Sequence, residues 1–179
     1  MIIFLIGPGG VGKTTCGKLL AKKIGYELID LDKIFQKKLG GIGRYIDQRG
    51  YRKYCYQNSK IFYSLLKANE KKSVFVLSSG FLVHKGLERL TTKHRLTINR
   101  HGLSVLLLPS RSRQQSTKII VERQLSRALG LNKRREIRKI EERYDQYLKF
   151  GDIRIFSYAK PETIVNRVTK KLYSHPNFK

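Results

Sequence analysis

Residues 7–14 read GPGGVGKT and residues 30–32 read DLD. Gly7, Gly12, Lys13 and Thr14 fill all four fixed positions of G-x-x-x-x-G-K-[ST]. An apolar run, residues 2–6, precedes the motif, and helix-forming residues follow it, so it joins a strand to a helix. Glycines let a backbone curl closely around an anion and turn its N–H groups inward, and the helix that begins near Gly12 adds its positive end. In such a loop Lys13 brings a mobile charge to the terminal phosphates, and the Thr14 hydroxyl is placed to ligate Mg²⁺. The expected ligand is a nucleoside triphosphate, contacted by Gly9, Gly10, Val11, Gly12, Lys13, Thr14 and Thr15.

Asp30 and Asp32 close a second apolar run. The i, i+2 spacing at the end of a strand turns both carboxylates the same way, beyond the carboxyl edge of a parallel sheet, where ligands collect. One acid there can hold Mg²⁺ through water, and the other can accept the proton of an attacking hydroxyl. The competing role for either is a helix N-cap, because a helix begins at Leu31.

These side chains need rigid elements to hold them. Strands are predicted at residues 2–6, 26–30, 73–79, 104–109 and 153–156. Helices are predicted at 13–24, 31–39, 51–69, 85–96, 116–129 and 132–150, with a last one opened by Pro161 and carrying Ile164, Val165, Val168 and Leu172. Strands that are apolar throughout and alternate with helices give a parallel sheet covered on both faces, an α/β three-layer domain.

The 179 residues suit one domain, and 38 Lys and Arg against 13 Asp and Glu give a net charge of +25. Such a charge attracts polyanions, so nucleic acid stays open as a partner. The charge is dispersed, however, and no helix confines it to one face with interleaved aromatics, which favours a solvated basic surface serving small anionic ligands. The two cysteines, Cys16 and Cys55, form neither a disulfide framework nor a zinc pattern, so a reduced, cytoplasmic setting is expected. The N-terminal MIIFLI lacks the positive flank of a signal peptide, and no run approaches the length of a membrane span. His84, His94, His101 and His175 are scattered and read as surface residues, and Cys16 reads as a packed side chain. The size suggests a monomer.

One glycine-rich loop in a short chain without an N-K-x-D base-reading motif points to a small-molecule kinase. At this point the sequence resembles the shikimate kinase family over nearly its whole length. The resemblance is carried by residues 3–40, IFLIGPGGVGKTTCGKLLAKKIGYELIDLDKIFQKKLG, with the D-x-D after the second strand. It is carried also by residues 141–155, EERYDQYLKFGDIRI, and by SRAL at 126–129. It implies ATP-dependent transfer to the 3-hydroxyl of shikimate, a step towards aromatic amino acids, on a five-stranded sheet of order 2-3-1-4-5. It implies one kinase domain over residues 1–173, with a substrate-binding region about 31–62, a lid about 110–131 and a short tail at 174–179. By position it makes Asp32 the contact of the substrate hydroxyl and Asp30 the partner of Mg²⁺. Arg127 becomes the lid arginine that reaches the phosphates, Arg143 a substrate-carboxylate arginine, and Lys160 part of the adenine loop.

Two departures fall on the acceptor side. Where the family carries GExxFR, residues 50–55 read GYRKYC, so Cys55 replaces the arginine that forks onto the substrate carboxylate. Losing one charge-assisted hydrogen bond costs roughly one to two orders of magnitude in affinity. Arg52, three residues earlier, is the candidate substitute. Where the family has three glycines after the third strand, Ser79, Gly80 and Phe81 stand here; Gly80 remains a candidate substrate contact, and Phe81 is expected in the core. These changes leave three readings: a divergent shikimate kinase, a kinase for a different small hydroxy compound, or a non-catalytic nucleotide-binding relative.

Overall fold

The computed structural model describes residues 1–69, 72–127 and 130–178. Its elements are β1 (Ile2–Ile6), α1 (Lys13–Ile24), β2 (Glu27–Asp30), α2 (Leu31–Leu39), α3 (Ile42–Arg49), α4 (Tyr51–Ala68), β3 (Ser73–Val76), α5 (Glu88–His101), β4 (Gly102–Leu108), α6 (Arg113–Leu125), α7 (Lys133–Tyr147), β5 (Ile153–Phe156) and α8 (Pro161–Tyr173). All five strands are parallel, in the order β2-β3-β1-β4-β5. That is the order the resemblance implies.

Strand β1 is apolar at every position because it is central and covered on both sides. Alternation along the strand sends Ile2, Phe4 and Ile6 to one face and Ile3 and Leu5 to the other. On the first face they meet Phe35 of α2, Phe62 of α4, Ile98 of α5 and Tyr144 of α7. On the second they meet Leu20 of α1, Ile120 of α6, and Val165 and Leu172 of α8. These helices lay apolar stripes on the sheet, so the carboxyl ends of β1, β2 and β3 are held side by side and their following loops share one edge.

Several elements differ from expectation, among them α6, which begins three residues early at Arg113. Helix α3, bounded by Gly41 and Gly50, was not expected, since no residue in it is fully buried; Ile42, Tyr45 and Ile46 only lean on the core. Helix α5 begins three residues late and runs on to His101. The segment before it turns instead, with Gly86 at φ 75° and its N–H donating to the Glu88 carboxylate (2.9 Å). That turn folds Phe81, Leu82, Val83 and Leu87 into the core. Strand β3 ends at Val76, and the chain leaves the sheet there, placing Ser79 in the lining of the cleft. The tail is tied down as far as Phe178, which packs by Tyr26 and Tyr173; Lys179 lies outside the described residues. Among the described residues no helix is long and apolar enough to cross a membrane.

The expectation of surface histidines fails for two of the four: His84 is 3% exposed and His94 is 0%. The His94 ring stacks on Phe81 at 3.9 Å. Its Nδ1–H donates to the Phe81 carbonyl (3.0 Å), and Nε2 accepts from the Ser59 hydroxyl (2.8 Å), so the neutral ring is fully satisfied. Burial holds its pKa down to about 4 from 6.5. The unfolded chain therefore binds a proton that the folded chain refuses. Stability from this ring is complete above pH 6.5 and declines as pH falls toward about 4. Thermal unfolding across that window is expected to show a loss of roughly 2 kcal/mol from this group near pH 5, and His94→Gln is expected to flatten the slope.

Candidate active site

The loop after β1 wraps as the motif requires, with Gly10 at φ 84° and Gly12 at φ 87°, a region that side chains disfavour. Helix α1 starts at this loop with no side-chain cap and no acid in its first turn, so its N–H groups face outward unspent. The Lys13 ammonium is folded onto the loop and donates to the carbonyls of Gly7 (2.8 Å) and Pro8 (2.9 Å). Burial lowers its pKa to about 8, against the opposing pull of Asp32 and Asp30.

Asp30 caps a helix with one carboxylate oxygen and bonds the phosphate loop with the other. One carboxylate oxygen accepts from the Lys33 N–H (3.2 Å) and caps α2, and the other accepts from the Thr14 hydroxyl (2.7 Å). The pair Thr14 and Asp30, with Asp32 two residues on, offers hard oxygen donors of the kind a divalent cation prefers. No group of three or more His, Cys, Asp or Glu able to hold a metal exists among the described residues. An ion here would rest on few protein atoms, its other oxygens coming from phosphate and water.

Asp32 is half-buried and accepts from the Ser78 hydroxyl, which in turn accepts from the Asn58 amide (2.9 Å). Burial raises its pKa above the ordinary carboxylate value, opposed by the Ser78 bond and the Lys13 charge and reinforced by Asp30. The carboxylate is fixed in direction and more basic than usual, which suits a proton acceptor.

Arg143 of α7 lines a cleft with Pro8 and Gly9 of the glycine loop, Ser79 and Tyr147. Its guanidinium donates to the Tyr51 hydroxyl (3.2 Å), and the Tyr147 hydroxyl donates to the Ser79 carbonyl. A Cβ on Gly80 would stand 3.0 Å from the Tyr51 oxygen and 3.1 Å from His84, so any side chain there would press on this pair. Phe81 packs away from the cleft against Phe62 and His94, as expected. Arg127, exposed beyond α6, donates to Gln124 (3.3 Å), whose amide would meet a Cβ on Gly9. Its charge adds to the lowering of the Lys13 pKa. The last two residues of the SRAL segment, Ala128 and Leu129, lie outside the described residues.

Of the candidates, Gly9 and Arg143 line the cleft, whereas Arg52 and Lys160 stand away from it in solvent. Arg52 is exposed on α4, its guanidinium 6.0 Å from the Tyr56 ring centroid, and Lys160 is exposed at the start of α8. Cys16 is buried and inert, its thiol pushed up to about 11 by burial. Sequence reasoning missed Tyr51, His84, Ser78 and Asn58. The available signal was the i, i+4 spacing of Tyr51 and Cys55 on one helix face.

The sequence model of the shikimate kinase family matches residues 9–173. A shikimate kinase of Francisella tularensis subsp. novicida is 37% identical over 79 residues, 44% of this chain and 44% of that protein. The pentafunctional AROM polypeptide of Candida glabrata is 32% identical over 80 residues, 44% of this chain and 5% of that protein. The chain thus aligns with less than half the length of these curated relatives. The structure of Acinetobacter baumannii shikimate kinase in complex with shikimate superposes with a TM-score of 0.78 at 20% identity, covering 98% of this chain and 94% of that one. The Aquifex aeolicus shikimate kinase gives 0.73 at 22%, covering 97% of each chain. These structural likenesses establish the fold. The family match runs from the glycine loop through the last helix and takes in Asp32 and Arg143, and on that match this chain belongs to the shikimate kinase family.

Proposed function

We propose that this chain transfers the γ-phosphoryl group of ATP to a hydroxyl of a small anionic acceptor, and that the acceptor is shikimate, through its 3-hydroxyl. The observation that carries the reading is the cleft that joins Pro8 and Gly9 of the nucleotide loop to Arg143, with the basic Asp32 held close to Lys13. The loop amides and Lys13 bind the β- and γ-phosphates. Thr14 and Asp30 would hold Mg²⁺, which would neutralise charge on the phosphate oxygens. Arg143 anchors the acceptor carboxylate and turns its hydroxyl toward Asp32. The hydroxyl oxygen bonds to the γ-phosphorus, the bond from that phosphorus to the bridging oxygen breaks, the hydroxyl proton passes to Asp32, and ADP leaves. Lys13 and Arg127 stabilise the charge that spreads over the transferring group.

A second reading is favoured by one specific observation. The space near Cys55 is filled by His84 rather than by a basic side chain, and this suits an acceptor of different shape that still carries an anion. ADP release measured with ATP and Mg²⁺, with shikimate and with a panel of small hydroxy acids, separates the two. The main reading expects release that depends on shikimate. ATP binding with release driven only by another hydroxy acid supports the second, and binding without any acceptor-dependent release removes both.

A further inference from the structure

The buried corner behind Arg143 contains polar side chains to which phosphoryl transfer gives no task. His84 is 3% exposed, and its Nε2 has no hydrogen-bond partner among the described residues. Its Nδ1 meets the Tyr51 hydroxyl at 2.7 Å and the Cys55 sulfur at 3.4 Å. The same Tyr51 oxygen accepts from Arg143 at 3.2 Å. Tyr51 and Cys55 lie one turn apart on α4, at the two positions where the GExxFR pattern has glutamate and arginine. An acid and a base have been exchanged together for a phenol and a thiol, and an imidazole from the β3–α5 turn fills the gap. Gly80 is crowded by this very pair.

We propose that Tyr51 and Arg143 together grip the acceptor carboxylate, with His84 and Cys55 positioning the Tyr51 hydroxyl, so that a phenol takes the place of the missing arginine. This rests on the kinase reading given above. A guanidinium only donates, so the Tyr51 oxygen accepts from Arg143 and keeps its own O–H proton to give. Without a ligand that proton goes to His84 Nδ1. When a carboxylate lies against Arg143, the proton can turn to it, and the Cys55 S–H remains as a donor to Nδ1. The protonation states agree: burial pushes the Cys55 thiol up to about 11, burial raises the Tyr51 pKa, and burial with the Arg143 charge holds the His84 pKa down to about 3. The arrangement binds an anion with one positive charge and one neutral donor. It therefore discriminates by the placement of oxygens more than by charge.

The test is steady-state kinetics on Tyr51→Phe, which keeps the ring and removes the hydroxyl, using shikimate and its methyl ester as paired acceptors. The KM for shikimate is expected to rise about ten- to a hundredfold. The KM for ATP and kcat stay within about twofold, and the ester is affected far less because it offers no carboxylate. His84→Leu is expected to raise the same KM about three- to tenfold, and His84→Asn, which keeps a polar atom near the Nδ1 position, to recover part of it. Thermal unfolding of each variant confirms that it is folded. An unchanged KM for shikimate in folded Tyr51→Phe overturns the proposal and leaves the kinase reading intact. Equal behaviour of His84→Leu and His84→Asn overturns the positioning role. A wild-type protein that neither binds nor phosphorylates shikimate overturns this proposal and the shikimate assignment together.

Discussion

Lys13→Met is expected to lower phosphoryl transfer by about a thousandfold or more and, in the same protein, to raise the melting temperature. The rate falls because the only cation set inside the glycine loop is lost from the place where charge develops on the γ-phosphoryl oxygens. The melting temperature rises because that cation is costly to fold. Lys13 is 8% exposed, and burial takes its pKa from 10.5 to about 8, so the folded state disfavours the charged form. The cost is full below about pH 8 and fades as pH rises toward 10.5. At neutral pH it amounts to about 3 kcal/mol, part of it already counted against the pull of Asp32 and Asp30. The bonds to the Gly7 and Pro8 carbonyls return some of this, about 1 kcal/mol each. Methionine keeps the apolar stem without the charge. The residual gain corresponds to a rise of roughly 2–4 °C for a domain of this size. Calorimetry and a turnover assay on one preparation check both halves, and a variant that is stabilised yet fully active would remove Lys13 from the mechanism.

Asp32→Asn is expected to lower kcat about a hundred- to ten-thousandfold with little change in the KM for ATP. The amide keeps an oxygen for the Ser78 hydroxyl, so the network from Asn58 through Ser78 holds its shape, and the deficit reports the lost proton acceptor alone. The wild-type rate carries a further signature. Asp32 is raised above the usual 3.8 by burial, so the acid limb of the pH–rate profile lies above that value. The rate declines as pH falls through the Asp32 pKa, because the protonated carboxyl accepts no proton. Single-turnover rates across pH test this: an acid limb at or below the ordinary carboxylate value, or an Asn variant with near-normal kcat, would contradict the role of Asp32.

The donor half of the site was legible because its information is local. Eight consecutive residues set the phosphate loop, and the strand before it and helix after it follow from unbroken apolar and helical patterns. The D-x-D spacing singled out Asp30 and Asp32 but left Asp30 divided between cap and site; the structure shows the cap, with the other oxygen bonded to Thr14 of the phosphate loop. The acceptor half was not legible because distant segments build it. The imidazole that fills the space beside Cys55 comes from 29 residues further on. It arrives there because the chain turns through residues 81–87 before α5 begins, with Gly86 at φ 75° and Phe81 and Leu87 buried. Arg52 was the natural substitute by helical spacing, yet the buried face of α4 runs through Tyr54, Cys55 and Asn58, which leaves Arg52 in solvent. Tyr51, one turn before Cys55, instead places its hydroxyl against Arg143 and His84.

The central claim is that residues 7–14 grip a triphosphate while Asp32 draws the proton from an acceptor hydroxyl. Phosphorus NMR of the purified protein incubated with ATP, Mg²⁺ and shikimate tests it most directly. The account predicts a new phosphomonoester resonance coupled to a ring proton of shikimate, growing as the γ-phosphate signal disappears and absent with Lys13→Met or Asp32→Asn. A spectrum in which ATP persists unchanged, or is lost only to inorganic phosphate, would contradict it.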